Sequence, residues 1–247
     1  MVPPERQVQR YEGEKCEFSF AKGAKNVTLQ HDPTTTERET PSQIFHPRFA
    51  AFYEWYAHLD SERRLTDPLR QETAGQASGV VLEVGAGTGL NFSWYHPERV
   101  ERVEAIEPDA AMLAYARPRV RQAAVPITLT QASTEALPFP AATFDSVVVT
   151  LVFCSVTDPA RGMREIEQVL KPQGTLFMFE HVRSQKSVTA HLQDAIVPLT
   201  TRLFGHCHWN RDTERVVREA GFDIANLRRM GGSFDLSPHL VLQARRP

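Results

Sequence analysis

The chain has 247 residues, 41% of them hydrophobic, and a formal net charge of -2, which suits a sizeable α/β domain and gives no overall field for gathering nucleic acid. Its three cysteines are widely spaced and odd in number, which argues against a disulfide framework. No apolar run approaches the roughly 18 residues that span a bilayer, and the N-terminus lacks a signal-peptide core, so a cytoplasmic protein with no membrane span and no nucleic-acid partner is expected.

Residues 1–43 scatter Pro and Gly around a polar run at 34–40 and show no periodicity, which reads as an arm whose ordering against the body is left open. From 45 to 59 the aromatics Phe45, Phe49, Phe52, Tyr53, Trp55 and Tyr56 recur at three- and four-residue intervals, predicting an amphipathic helix. A second helical piece over 62–76 completes an N-terminal helical lid at 44–78, within a domain running from 44 to 247. Strands are then expected near 80–84, 102–107, 126–131, 144–150, 174–181, 222–229 and 238–245. Helices alternate with them at 89–96, 109–117, 158–170, 187–203 and 211–220. Pro172-Gln-Gly174 is a turn signal, Gly221 closes the last helix, and Asn210 or Asp212 caps its start. This alternation predicts a Rossmann-like, doubly wound α/β sheet with helices on both faces.

Residues 81–89 read Val-Leu-Glu-Val-Gly-Ala-Gly-Thr-Gly, a strand turning sharply with its backbone left bare where a ligand must come close. A dinucleotide fingerprint needs Gly-x-Gly-x-x-Gly or Ala, whereas Gly85, Gly87 and Gly89 alternate and position 90 is Leu. That spacing favours a smaller nucleoside over a bound pyrophosphate and opposes a nicotinamide oxidoreductase. Glu107, about 20 residues past the glycines, stands where a carboxylate can accept both hydrogen bonds of a ribose diol. On these residues the chain, from roughly residue 44 onward, resembles the class I S-adenosylmethionine-dependent methyltransferases.

The resemblance implies a seven-stranded, mostly parallel sheet with the last strand antiparallel, and S-adenosylmethionine as cofactor. It assigns the amides around Gly85, Ala86, Gly87 and Gly89 to the methionine carboxylate, aided by the dipole of the helix expected at 89–96. Glu83 would receive the ammonium or form a structural salt bridge, and Asn91 would reach the carboxylate or cap a helix. Glu107 and Pro108 fall at the ribose, and Met112 lies against adenine or simply packs helix on sheet. Ser133 and Thr134 stand in the adenine loop, with Ala132 and Ser133 replacing the family's usual Gly-Asp pair. The carbonyl of Leu151 would face the sulfonium.

Beyond the fourth strand, Phe153, Cys154 and Ser155 would border the reacting centre, where Cys154 reads as a reactive thiol or a small buried hydrophobe. His181, ending the fifth strand, is the candidate catalytic residue, placed to take a proton or to make a structural hydrogen bond. His206-Cys-His208 invites a metal reading, but alternate residues in one short loop cannot easily converge and no fourth ligand stands nearby, so no metal is expected. The stretches 151–156, 179–183 and 204–213 are similar to a subgroup holding bacterial proteins of unassigned substrate and animal enzymes that methylate alkyl thiols. Those animal enzymes carry a hydrophobic N-terminal anchor with no counterpart in this sequence. The aromatics at 45–56, with Phe153, Phe204 and Trp209, suggest an apolar acceptor pocket under the lid. The acceptor is expected to be a small molecule, a thiol first; C-, O- or N-methylation of a quinone precursor, phenol or lipid headgroup stays open, as does a cofactor-binding protein without turnover.

Overall fold

In the computed structural model the described residues are 44–203, 206–231 and 235–247; the arm expected over 1–43 and Phe204 lie outside them. Seven strands form one sheet: β1 (Gly79–Val84), β2 (Val100–Ile106), β3 (Ile127–Thr130), β4 (Phe144–Thr150), β5 (Leu170–His181), β6 (Asp223–Met230) and β7 (His239–Arg245). Their order is β3-β2-β1-β4-β5-β7-β6, and β7 alone runs antiparallel to its neighbours. The helices are α1 (Pro47–Ala57), α2 (Asp60–Glu72), α3 (Ala110–Val120), α4 (Pro159–Val169), α5 (Ser187–Leu203) and α6 (Thr213–Glu219).

The two-residue period of a strand explains the two cores. Val80, Leu82 and Val84 join Val147, Val149, Leu176 and Met178 against Met163 and Ile166 of α4 and Val217 of α6. The intervening Val81 joins Val103, Ala105, Val148 and Phe177 with Ala116 of α3. Central strands buried on both faces are near-continuously apolar, as parallel strands under helices must be. Order reverses beside β1, so β1 and β4 are neighbours although β2 and β3 intervene in sequence. Ligands collect in the crevice at the carboxyl ends of such a pair.

The helix expected at 89–96 does not form: Phe92–Trp94 is a single 3-10 turn. His96 precedes Pro97 and is therefore biased away from helical geometry, while Gly89 adopts φ 84° and Asn91 and Tyr95 are drawn into buried hydrogen bonds. Seven residues between left-handed Gly89 and Pro97 leave little room for cooperative helix. The loop amides thus act without a helix macrodipole behind them.

A second correction concerns α1. Phe45, Phe52, Trp55 and Tyr56 are exposed, at 61%, 40%, 61% and 39%, and only Phe49 and Tyr53 turn inward with Ala50 to pack on Ala111 and Met112 of α3. Most of the aromatics expected to roof a pocket therefore form an outward stripe. Strand β5 begins at Leu170 instead of 174, because the Pro172-Gln-Gly174 turn, with Gln173 at φ 63°, is a bulge inside the strand. At α6, Asp212 is the cap, its carboxylate accepting from Arg215 N, and Gly221 follows the helix at φ 88°.

Candidate active site

The loop after β1 holds Gly85, Gly87 and Gly89 at φ 66°, 55° and 84°. A Cβ on Gly85 would collide with Val152, which closes the turn against the segment after β4, whereas a Cβ on Gly87 would meet nothing within 4 Å. Gly87 is thus the point where the backbone faces open space. Its N–H donates to Glu107 Oε2 at 3.0 Å, and Asp109 N–H donates to Oε1 at 2.9 Å. Each carboxylate oxygen keeps a lone pair for a further donor. Burial pushes Glu107 up to about 7, against those two amides, which favour the ionised form.

Glu83, at the end of β1, is buried with both oxygens engaged: Oε1 accepts from Asn91 Nδ2 at 3.0 Å and Oε2 from Tyr95 Oη at 2.8 Å. Burial raises it to about 7. Asn91 also donates to Thr150 Oγ1 at 3.1 Å and accepts from Arg70 Nη1 at 2.6 Å. Both of its N–H donors are therefore taken, and it is neither a helix cap nor a free donor for a methionine carboxylate. A buried amide must be satisfied, and here its partners come from β1, β4 and α2. The unforeseen member is Arg70 of α2, a buried guanidinium beside the glycine loop; in sequence it is one of several arginines on a polar helix.

Around the outer edge, Arg119 of α3 bridges Glu54 Oε1 of α1 at 2.5 Å and the Thr88 carbonyl at 2.7 Å. Asp109 caps α3 through Ala111 N and receives the His46 backbone N–H, tying the start of α1 to the Glu107 turn. Gln131 donates to the Pro108 carbonyl at 2.9 Å, bringing the expected adenine loop to the same turn. Met112 is buried under α1. Ser133, instead of presenting a free hydroxyl, donates it to Glu135, and buried Thr134 turns its methyl group toward Gly162 of α4.

The acceptor side lies where β4 and β5 end. Leu151 takes φ 57° and donates to the Phe179 carbonyl at 2.7 Å, turning the chain out of the sheet. Glu180 then grips the next residues from below: Oε1 accepts from Val152 N at 2.7 Å and Phe153 N at 2.9 Å, and Oε2 from Cys154 N at 3.4 Å. Arg211 holds the same loop by its carbonyls, donating to Phe153 O at 2.5 Å and Val156 O at 2.6 Å. Burial pushes Glu180 to about 7 despite its three amide donors. His181 Nδ1 sits 3.6 Å from Cys207 Sγ, and its ring lies beside Trp209 and His239. Burial, with the neighbouring His239, depresses His181 to about 3, so the imidazole is neutral. The hydrogen bond between the Cys154 and Cys207 thiols, with burial, holds Cys154 well above the ordinary thiol range. His206 and His208 do not join Cys207: His206 is exposed at φ 63°, and buried Cys207 instead meets Cys154 and His181.

The amides expected to hold the methionine carboxylate are engaged within the protein, Ala86 N–H on the Ile106 carbonyl, Gly87 N–H on Glu107 and Gly89 N–H on the Ala86 carbonyl, because the turn is closed by its own hydrogen bonds. The donor set still fits S-adenosylmethionine: open space at Gly87, a carboxylate with spare lone pairs at Glu107, and a buried cation at Arg70. When bound, that cofactor supplies an electrophilic methyl group on a sulfonium. A methyltransferase domain model matches residues 82–178. The rat thiol S-methyltransferase TMT1B (Rattus norvegicus) is 28% identical over 76% of this chain and 80% of its own. The human thiol S-methyltransferase TMT1A (Homo sapiens) is 30% identical over 73% and 74%. The phosphatidylethanolamine N-methyltransferase of Cereibacter sphaeroides is 29% identical over 74% and 92%. Among solved structures, the N-methyltransferase NodS of Bradyrhizobium japonicum in complex with S-adenosyl-L-homocysteine superimposes with a TM-score of 0.58 at 18% identity, over 81% of this chain and 98% of its own. The chain belongs to the class I S-adenosylmethionine-dependent methyltransferases. It is an enzyme that uses S-adenosylmethionine to methylate small molecules. No helix among the described residues is long and apolar enough to cross a membrane.

Proposed function

We propose that the acceptor is a small apolar thiol. The observation that carries this reading is the state of Glu180. It is the carboxylate at the acceptor edge, and three amide donors, from Val152, Phe153 and Cys154, occupy most of its lone-pair capacity, so in this reading it serves to scaffold the loop. What borders the same corner is soft or apolar: Phe153, Cys154, Cys207 and Trp209. Methyl transfer is an in-line displacement, for which positioning the nucleophile supplies much of the acceleration. A thiol with pKa near about 8.5 is already partly ionised at neutral pH and needs little proton removal. Phenols and ring carbons would need a committed base. The thiol S-methyltransferase relatives support the same choice.

In this reading the guanidinium of Arg70 holds the methionine carboxylate, which lies in the open space beside the Gly87 backbone, Glu83 faces the ammonium, and Glu107 with Pro108 holds the ribose. Gly85 and Gly89 shape the loop that presents Ala86 and Gly87. Met112 and the backbone at Ser133 and Thr134 enclose the adenine, and the Leu151 carbonyl faces the sulfonium. His181, the candidate catalytic residue, is held neutral by burial and orients the acceptor; with its pKa lowered to about 3 it is a weak proton acceptor, which suits a thiol that needs little proton removal. The test is an acceptor panel of alkyl thiols, phenols, quinol rings, amines and phosphatidylethanolamine vesicles, with methyl-labelled cofactor. Label in the thiol products at the highest kcat/KM is expected; a higher kcat/KM for an amine, phenol or ring carbon overturns the thiol assignment and leaves the methyltransferase assignment intact.

A further inference from the structure

Cys154, His181 and Cys207 are separated by 27 and 26 residues in sequence, yet one ligand atom from each lies within 4.8 Å of the others. Two are buried thiols and the third is an imidazole nitrogen. In a tetrahedral zinc site, with bonds of about 2.3 Å to sulfur and about 2.0–2.1 Å to nitrogen, the sulfur-to-nitrogen edge is about 3.6 Å. The His181 Nδ1 to Cys207 Sγ separation is 3.6 Å. Of the two remaining edges, each within 4.8 Å, the sulfur-to-sulfur one needs to shorten by no more than about 1 Å to reach about 3.8 Å and the sulfur-to-nitrogen one by no more than about 1.2 Å to reach about 3.6 Å.

Three separate restraints aim these atoms at one point. Cys154 N–H is held by Glu180, and the Cys154 carbonyl accepts from His208 N–H at 2.7 Å, which zips the Cys154 loop to the Cys207 loop. The Cys207 carbonyl accepts from Thr200 Oγ1 of α5 at 3.4 Å. His181 is the last residue of β5, flanked by the rings of Trp209 and His239. Ligands carried on a strand end and two cross-linked loops are better fixed than ligands in one flexible loop, which is why the local trio of residues 206–208 is the wrong set.

We propose that Cys154, His181 and Cys207 bind a single thiophilic d10 cation, for which Zn2+ is the probe. Binding forms two metal–thiolate bonds and one metal–imidazole bond and releases the two thiol protons to solvent. Two thiolates neutralise a divalent ion, so the complex adds no net charge to a buried corner, where an unpaired charge would be costly. Thiolates select zinc or copper(I) over magnesium or calcium. Three protein ligands leave one tetrahedral position for water or an exogenous group, the pattern of an open zinc site.

The test uses the full chain, reduced and stripped with chelator, then titrated with Zn2+ against a chromophoric chelator and separately with Co2+. One equivalent per chain is expected, with thiolate-to-cobalt charge transfer and the visible spectrum of tetrahedral cobalt. Cys154→Ala and His181→Ala should each weaken binding by more than about 100-fold, beyond the 10–100-fold typical of losing an outer hydrogen bond. Cys16→Ser should leave stoichiometry and spectrum unchanged. Binding of S-adenosyl-L-homocysteine by each variant reports folding, and the wild-type cobalt spectrum stands even if a variant does not fold. Substoichiometric zinc in wild type, a cobalt spectrum without charge transfer, or thiols found joined as a Cys154–Cys207 disulfide after reduction and stripping overturns the proposal.

Discussion

The two halves of the carboxyl edge are built differently. On the side of β1 and β2, the glycine loop, Glu83 and Glu107 come from 25 consecutive residues, and the contact between Gly87 and Glu107 follows from two adjacent parallel strands. On the side of β4 and β5, the loop at 151–156 is held by Glu180 from the next strand and Arg211 from beyond α5. Its thiols and imidazole meet only after the chain has folded back twice. One half is a local motif; the other is a tertiary assembly. In the reading proposed above, a cofactor common to many enzymes is gripped by the first, and the substrate, which differs between relatives, faces the second.

The comparison is broken most strongly at Gly85. Gly85→Ala places a Cβ inside Val152 at φ 66° and joins both halves in one clash, so a loss of about 2–5 kcal/mol in chemical unfolding is expected. Gly87→Ala, at φ 55° with open space around the new methyl, should cost only about 1–2 kcal/mol of stability while weakening cofactor binding. Equal destabilisation by the two would contradict the assignment of Gly87 to the ligand side.

In the proposed reading Glu107→Ala removes two charge-assisted hydrogen bonds to the ribose, so it should raise the S-adenosyl-L-homocysteine Kd by about 100-fold or more in calorimetry. Arg211→Met should act on the other half alone, releasing the Phe153 and Val156 carbonyls at a cost of about 1–3 kcal/mol, with acceptor KM raised and cofactor Kd little changed.

The gentlest probe is pH. Glu107 is pushed up to about 7 by burial, and in the proposed reading the ribose hydroxyls need its ionised form as acceptor. Below pH 7 the free enzyme carries a proton that binding must expel, so affinity should rise with pH up to about 7 and flatten above, with a slope of at most tenfold per pH unit. Glu107→Gln should remove its share of this slope and leave that of Glu83, which burial also raises to about 7. A flat profile in wild type would show that Glu107 does not face the cofactor.

The same contrast explains what the sequence made legible. The alternation of elements, the seven strands and the span of α5 follow from local periodicity and punctuation, which operate over a few residues. That the glycine loop and Glu107 share one sheet edge was readable because two adjacent parallel strands end there, but the hydrogen bond from Gly87 to Glu107 was not foreseen. The helix expected at 89–96 failed because Pro97 and the demand to satisfy buried Asn91 and Tyr95 outweighed its apolar pattern. Arg70 was illegible because its burial depends on α2 lying across the end of β1, and nothing in a polar, arginine-rich helix marks which guanidinium turns inward. Asp109 left a signal in Pro-Asp-Ala ahead of an alanine-rich run, a helix N-cap, but its second role in seating α1 is long-range. The meeting of Cys154, His181 and Cys207 left none, since sequence proximity pointed to residues 206–208 instead.

The most direct test of this division is to measure cofactor Kd and acceptor kcat/KM in parallel for Glu107→Ala and Glu180→Gln. Glu107→Ala should raise the Kd for S-adenosyl-L-homocysteine by about 100-fold, while Glu180→Gln, which turns an N–H group toward the amides it once accepted from, should leave that Kd within about threefold and lower acceptor kcat/KM by at least tenfold. If both variants moved the two quantities together, or Glu180→Gln moved the Kd alone, the cofactor and acceptor sites would not be divided between these two halves of the sheet edge.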